Sequence, residues 1–398
     1  MKEELKNYSK AISKDLFELS DFLYNNPELS GEEYKAKEAL CDLLKKYNFK
    51  CYDIDYRQLE TGFVAKYDSN KPGLIIAYCA EYDALPSVGH GCGHNLIAAV
   101  GSGAGILLSK YVDLIGGQVW VMGTPAEETY GGKIPMIESG LFNDVDIAMM
   151  AHPYSENRVS GNSLAFHAID IAFRGKAAHA AADPEKGINA LSAMQLVFAG
   201  ISYMREHLTG DVRVHGIITD GGAAPNIIPD YSRANIYVRA GKKAKANEIR
   251  ERLYGIIKGA ELMTGAKAEI NSFEHSYDDM NTNGILSDIC TESMNETGFK
   301  NISHNMDFNA SIDMGNVSYV VPSIHPYFDI TNNIEMNMHS KEFAKASSGN
   351  YAKKQMLNMA MALAMTGYKV ITGKEIYKKI KKEFDLSTRN FKEVKNDN

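Results

Sequence analysis

Two short segments hold the residues best able to do chemistry: Gly-His-Gly-Cys-Gly-His-Asn at 89–95 and Pro-Ala-Glu-Glu-Thr at 125–129. The first places a thiol, Cys92, and an imidazole, His94, in one loop. Gly93 between them lets the backbone bend so that both side chains can face one point. The second supplies neighbouring carboxylates, Glu127 and Glu128. Sulfur, imidazole nitrogen and carboxylate oxygen are the donors that a borderline-soft divalent cation such as zinc prefers. Adjacent side chains on an extended segment point apart, so one glutamate is expected to ligate while the other faces substrate. A carboxylate left out of the ligand set can take a proton from the attacking water and pass it to the leaving amine. With His152 in Ala-His-Pro and His339 in Met-His-Ser, the chain has the parts of a metal-dependent hydrolase. Each part has a plainer reading as well: a buried cysteine, a core histidine, a solvated acidic turn. Asp83, in Glu-Tyr-Asp-Ala-Leu-Pro, reads either as a carboxylate that orients a ligand imidazole or as a turn former.

These residues need elements that bring them together. Ile12, Leu16, Leu19 and Leu23 make one helical stripe, ended by Asn26-Pro27, and Leu40, Leu43, Leu44 and Tyr47 make a second. Strand-like runs follow at Gly62–Tyr67, Leu74–Tyr78, Gln118–Met122 and Val145–Met150, with helical patterns near 94–110 and 131–140. This alternation predicts an α/β layer with a largely parallel central sheet. In such sheets sites form on the loops at the carboxyl ends of strands. Glu81–Asp83, Thr124–Glu128 and Ala151–Pro153 each follow a predicted strand, so all three loops are expected to meet at one sheet edge. From Leu164 the order becomes β-α-β-β-α-β, that of a ferredoxin-like module. Strand and helix signals then resume after about 280, with a strand at Gly315–Val321 and one long helix from Ser340. The expected organisation is a discontinuous catalytic domain, 1–163 and 280–398, with an inserted domain at 164–279. The last 20 or so residues are charge-rich and are expected to fray.

At 398 residues, two domains are the natural expectation. A net charge of −7 with no basic patch excludes a phosphate-tracking role, so no nucleic-acid partner is expected. The run Leu96–Leu108, interrupted by glycines, is too short to span a bilayer and is read as a buried helix, so no membrane role is expected. The N-terminus lacks the apolar stretch of a signal peptide. Five scattered cysteines without a CxxC pair do not suggest a disulfide framework, which makes the cytoplasm the expected compartment. Gly101–Ile106 misses the GxGxxG pattern, and there is no P-loop, GxSxG elbow or HExxH.

Across nearly its full length the chain resembles the cocatalytic metallopeptidases of the aminoacylase and carboxypeptidase G type. It is most similar to the branch of p-aminobenzoyl-glutamate hydrolase B subunits and β-alanyl-dipeptidases. The resemblance is carried by Ala80–Pro86, Gly89–Asn95, Pro125–Glu128, His152-Pro153, Gly175–His179, Gly221–Pro229, Asp313–Ser318 and His339–Phe343. It implies that Cys92, His94, Glu128, His152 and His339 hold one or two divalent ions, zinc or else manganese or cobalt. Glu127 would then be the general base, acting on the amide of a small peptide or N-acyl amino acid. It also implies that the inserted module is a lid and dimerisation domain, giving a homodimer or a dimer of dimers. There His179 would steady the oxyanion, while Asn226 and Arg239 would grip substrate. His325, in Ile-His-Pro, is a further candidate for substrate contact. Asn95 departs from the Cys-Gly-His-Asp of many relatives. A competing reading is a non-catalytic subunit of a hetero-oligomer; a third keeps the machinery but changes the leaving nitrogen.

Overall fold

The computed structural model describes residues 2–56, 59–306 and 310–389. α1 (Lys2–Asn25) and α2 (Tyr34–Lys46) form where the 3.6-residue stripes lie, α1 burying Leu5, Ile12, Leu16, Leu19 and Leu23. The chain continues through β1 (Lys50–Asp53), β2 (Phe63–Asp68), β3 (Ile75–Ala80), α3 (His94–Ile115), β4 (Gln118–Gly123), α4 (Lys133–Glu138), β5 (Ile147–Met149) and β6 (His152–Tyr154). Next come β7 (Ala165–Arg174), α5 (Ala190–Arg205), β8 (Arg213–Asp220), β9 (Tyr231–Ala240), α6 (Lys243–Thr264) and β10 (Lys267–Asn271). The last elements are α7 (Gly284–Thr297), α8 (Met314–Val317), β11 (Ser323–Ile324), β12 (Tyr327–Asp329), α9 (Lys341–Ser347), α10 (Asn350–Thr372) and α11 (Lys374–Ser387).

Among the described residues two compact units result: one within 2–162, 280–306 and 313–389, the other 163–279 joined by 310–312. That short return segment belongs with the second unit because Leu164 N donates to Ala310 O. The first unit has a six-stranded sheet ordered β1-β2-β4-β3-β5-β11, in which β4, β3, β5 and β11 run parallel and β2 is antiparallel to both its neighbours, β1 and β4. β3 is buried along almost its whole length, as a strand covered on both faces must be. α3 packs against α1 and α10, and on its other side Gly105 allows close approach to β4: a Cβ there would stand 2.4 Å from Val121 Cγ2. α3 runs for 22 residues, beyond the apolar run seen in sequence. It is long and apolar enough to cross a membrane, but 94% of its apolar window is buried inside the protein.

Register decides where the site forms. Ala80 pairs with Gly123 and Tyr78 with Met149, so β3, β4 and β5 end together and release their loops at one edge. Beside them β6 pairs in parallel with β12, His152 opposite Tyr327, where the sequence suggested only a loop. The second unit has the sheet order β10-β7-β9-β8, all antiparallel, with α5 and α6 packed against it around Ile169, Phe173, Val197, Ile236 and Leu253. That is the order of a ferredoxin-like module.

Three expectations need correction. Gly315–Val321 is not a strand: Met314–Val317 turns as the short helix α8, and pairing begins only at Ser323. The long helix from Ser340 is broken twice, at Ser348-Gly349 and at Gly373, into α9, α10 and α11. α11 is regular through Ser387 because Ile380 and Phe384, one turn apart, are buried. The rest of the segment expected to fray, from residue 390, lies outside the described residues.

Candidate metal and catalytic site

Cys92 and His94 sit at the start of α3, separated by Gly93 in the left-handed region (φ 79°). Glycine is required there twice over, since a Cβ would also stand 2.6 Å from Pro153 Cγ. His152, on β6, brings its Nε2 to 3.4 Å from Cys92 Sγ, and His339 brings its Nε2 to 3.5 Å. His339 itself is left-handed (φ 63°), a strained conformation for a histidine and one that recurs at functional positions. Glu128 Oε1 lies 3.5 Å from His339 Nε2 and 3.8 Å from His94 Nε2. Donor atoms of Cys92, His94 and His152, of Cys92, Glu128 and His339, and of His94, Glu127 and Glu128 each gather within 4.8 Å.

The glutamate pair does not lie on an extended segment. Ala126 is left-handed (φ 57°), and residues 127–130 form a turn closed by Tyr130 N and Gly131 N donating to Ala126 O. Glu127 and Glu128 therefore face the same cluster, as neighbours on a strand could not. Burial, then the carboxylates of Glu81 and Glu128, push the Glu127 pKa well above the usual carboxylate range.

Two tautomers are fixed by partners. His94 Nδ1 meets Asp83 Oδ1 and Asp83 O, both at 2.9 Å, so Nδ1 carries a proton and Nε2 is the nitrogen turned to the cluster. His152 Nδ1 donates likewise to Pro153 O at 2.7 Å. Burial favours protonation of Asp83, but the positive charge and hydrogen bond of His94, with the hydrogen bonds from Glu128 N and Ser30, outweigh it and the carboxyl is pulled down to about 2. Ser30 Oγ and Glu128 N donate to its other oxygen.

His94 Nε2 and Glu128 Oε1 are buried without a hydrogen-bond partner. A ring nitrogen faced by carboxylate oxygen calls for a cation between them, a proton or a metal ion; burial opposes charge on His94, but Asp83 holds its pKa well above the usual histidine range. Burial also pushes the Cys92 thiol well up, so its thiolate needs a nearby positive charge. The donor set thus fits a divalent ion held by thiolate, imidazole and carboxylate.

Sequence reasoning missed the charges beneath this cluster. Lys133, with no exposed surface, places Nζ 2.5 Å from Glu81 Oε1 and 2.6 Å from Asp313 Oδ1. Burial opposes its charge, yet Asp313 and Glu81 hold its pKa above that of a free lysine. Glu81 Oε2 in turn lies 3.5 Å from His94 Nε2. The signals available were Gly131-Gly132-Lys133, two residues beyond the glutamate pair, and a second acid two residues before Asp83.

His325, 2% exposed, packs its ring 5.6 Å from that of His152 and 5.0 Å from that of Tyr327, with Nδ1 unpartnered. The remaining candidates lie in the second unit. His179 Nδ1 accepts from Ala181 N and Ala182 N, which caps that turn and leaves the proton on Nε2. Asn226 is next to it, its carbonyl accepting from Ala180 N. Arg239 lies over the rings of Phe166 and Tyr237 and donates to Ser311 Oγ at 3.3 Å. Among the described residues no carboxylate comes within 4.0 Å of its guanidinium.

Fold and donor cluster define a metal-dependent hydrolase with an inserted α+β unit. Residues 162–262 match the peptidase dimerisation domain model. The chain is 37% identical to the Xaa-Arg dipeptidase of Mus musculus, over 92% of this chain and 88% of that one. It is 32% identical to the B subunit of the Escherichia coli p-aminobenzoyl-glutamate hydrolase, over 63% of this chain and 56% of that one. A Bacillus subtilis dinuclear metal-binding peptidase of the M20 family superposes with a TM-score of 0.63 over 87% of this chain and 98% of that one, and its 21% identity shows the fold alone. The chain belongs to the M20 peptidase family, on the branch that holds the p-aminobenzoyl-glutamate hydrolase B subunit. It is a metal-dependent amidohydrolase that acts on carbon–nitrogen amide bonds.

Proposed function

We propose that this protein hydrolyses the amide of a dipeptide or N-acyl amino acid with Glu127 as general base. The observation that carries this reading is the set of three overlapping donor groups formed by Cys92, His94, Glu128, His152 and His339, one of which includes Glu127. One or two divalent ions held there, zinc by the donor set, would polarise the amide carbonyl and lower the pKa of the attacking water. Glu127 takes the proton from that water and delivers it to the leaving nitrogen. Asp83 holds the His94 tautomer. His325 backs the ring of His152 and stands in as a substrate-contact candidate.

For the second unit the reading rests on family resemblance. His179 acts through Nε2–H on the oxyanion, and Asn226 and Arg239 bind substrate, Arg239 through its carboxylate. Residues 164–279 serve as lid and dimerisation domain within a catalytic domain of 1–163 and 280–398. The match to a peptidase dimerisation domain and the exposed Ile217 and Ile218 on edge strand β8 support a homodimer or a dimer of dimers. The cytoplasm is the proposed compartment, from the five free cysteines. The names of the relatives suggest dipeptides ending in arginine and aminobenzoyl-glutamate as first substrates.

The test is hydrolysis of a mixed panel of dipeptides and N-acyl amino acids by the metal-loaded chain, with chelator and Glu127→Gln controls. Cleavage should be lost with chelator and return with zinc. Glu127→Gln should keep its metal but lose roughly 10²- to 10⁴-fold in kcat. Near-normal turnover in that variant would remove Glu127 from the role. A metal-retaining chain that cleaves nothing would point to a missing partner protein.

A further inference from the structure

The link between α1 and α2 sends two side chains to the supports of the site. Ser30 Oγ donates to Asp83 Oδ2 at 2.8 Å. Glu33, with no exposed surface, accepts from Ala126 N at Oε1 (2.9 Å) and from Thr61 Oγ1 at Oε2 (2.7 Å). Thr61 is itself anchored, its carbonyl accepting from the Tyr82 hydroxyl at 2.6 Å. Ala126 is the left-handed residue directly before Glu127, and its carbonyl closes the turn that carries both glutamates. An alanine resists that conformation because its Cβ crowds the backbone, so something must hold it there. The Ala126 amide has its partner in Glu33, which is 93 residues away in sequence.

We propose that Glu33 is a positioning residue for the amide hydrolysis: its buried carboxylate pins Ala126 in the left-handed conformation and so aims Glu127 at the attacking water. This rests on Glu127 being the proton acceptor. The bonding pattern says which substitutions matter. Glutamine can reproduce both contacts, its carbonyl accepting from Ala126 N and its amide donating to the Thr61 hydroxyl, which accepts as readily as it donates. Alanine at 33 can reproduce neither. Glycine at 126 enters the left-handed region without help, so Ala126→Gly should lessen the need for Glu33.

The experiment compares Glu33→Ala, Glu33→Gln and the double variant Glu33→Ala/Ala126→Gly in the full chain. The readouts are kcat and KM on a dipeptide the wild type cleaves, metal content by mass spectrometry, and thermal melting. Glu33→Ala should lose roughly 10- to 100-fold in kcat, with KM and metal content near wild type, because a misaimed base costs rate rather than binding. Glu33→Gln should stay within about threefold of wild type, and Ala126→Gly should recover about fivefold or more of the loss in Glu33→Ala. Unchanged kcat in Glu33→Ala overturns the proposal. So does a loss that neither Glu33→Gln avoids nor Ala126→Gly relieves, which would mark Glu33 as a packing residue. If Glu33→Ala does not fold, Thr61→Val replaces it; a loss of roughly three- to tenfold in kcat supports the proposal and unchanged kcat overturns it. Glu127→Gln runs alongside. If it is inactive while Glu33→Ala is normal, positioning alone fails; if it is active, the proton-acceptor reading fails and takes this proposal with it.

Discussion

Cys92 Sγ lies 3.4 Å from His152 Nε2, although 60 residues separate them in sequence. Each residue is buried, and burial works against charge on both: it raises the thiol pKa and lowers that of the imidazole to about 3. A neutral imidazole and a protonated thiol can sit together without a cation, but a thiolate there needs one.

That contrast gives the first prediction. Cys92→Ser replaces a soft donor with a poor one and should weaken metal binding by roughly tenfold or more. The fold should persist, because the side chain is small and its packing is conserved. Metal content measured under competition with a graded series of chelators checks this. Undiminished affinity would place the ion elsewhere.

Lys133 is the stability counterpart. Its ammonium is enclosed between the carboxylates of Glu81 and Asp313, and all three groups are buried. Lys133→Met keeps much of the volume but leaves two anions facing one another without compensation. Breaking a buried ion pair by removing one partner costs about 3–5 kcal/mol. Denaturant unfolding of the metal-free protein should show a loss of that order. A loss below about 1 kcal/mol would mean that one of the carboxylates already carries a proton in the folded state.

The site was legible to different depths. Glu128 and His152 were expected at one sheet edge because they follow strands whose order was readable, whereas Cys92, His94 and His339 joined them through the family pattern. The shared ends of β3, β4 and β5 then do what a parallel sheet requires. The turn at Ala126 was not legible, because alanine gives no sign of a left-handed backbone and the hydrogen bond that holds it comes from Glu33, far away in sequence. Lys133 escaped for the same reason: a lysine beside two glycines reads as surface, and only tertiary pairing with Asp313 shows it to be buried. The split of α9, α10 and α11 lay in plain view as Ser348-Gly349 and Gly373. It was missed because apolar spacing continues across both breaks.

Glu33 also supplies a pH prediction. Burial first, with the Asp83 charge adding to it against the Thr61 hydrogen bond, raises its pKa from 4.5 to about 7. The folded state therefore holds this proton more tightly than the unfolded chain does. Its contribution to stability is full below the unfolded value and is lost as pH rises through the folded one. The loss amounts to about 3 kcal/mol at most. Glu33→Gln removes the titration while keeping the hydrogen bonds. Relative to that variant, the wild type should be more favoured at pH 5 than at pH 8, with the change running from about pH 4.5 to about pH 7. Urea melts of the two proteins at both pH values measure it. Parallel stability–pH curves would mean that the carboxyl is already ionised in the fold at pH 5.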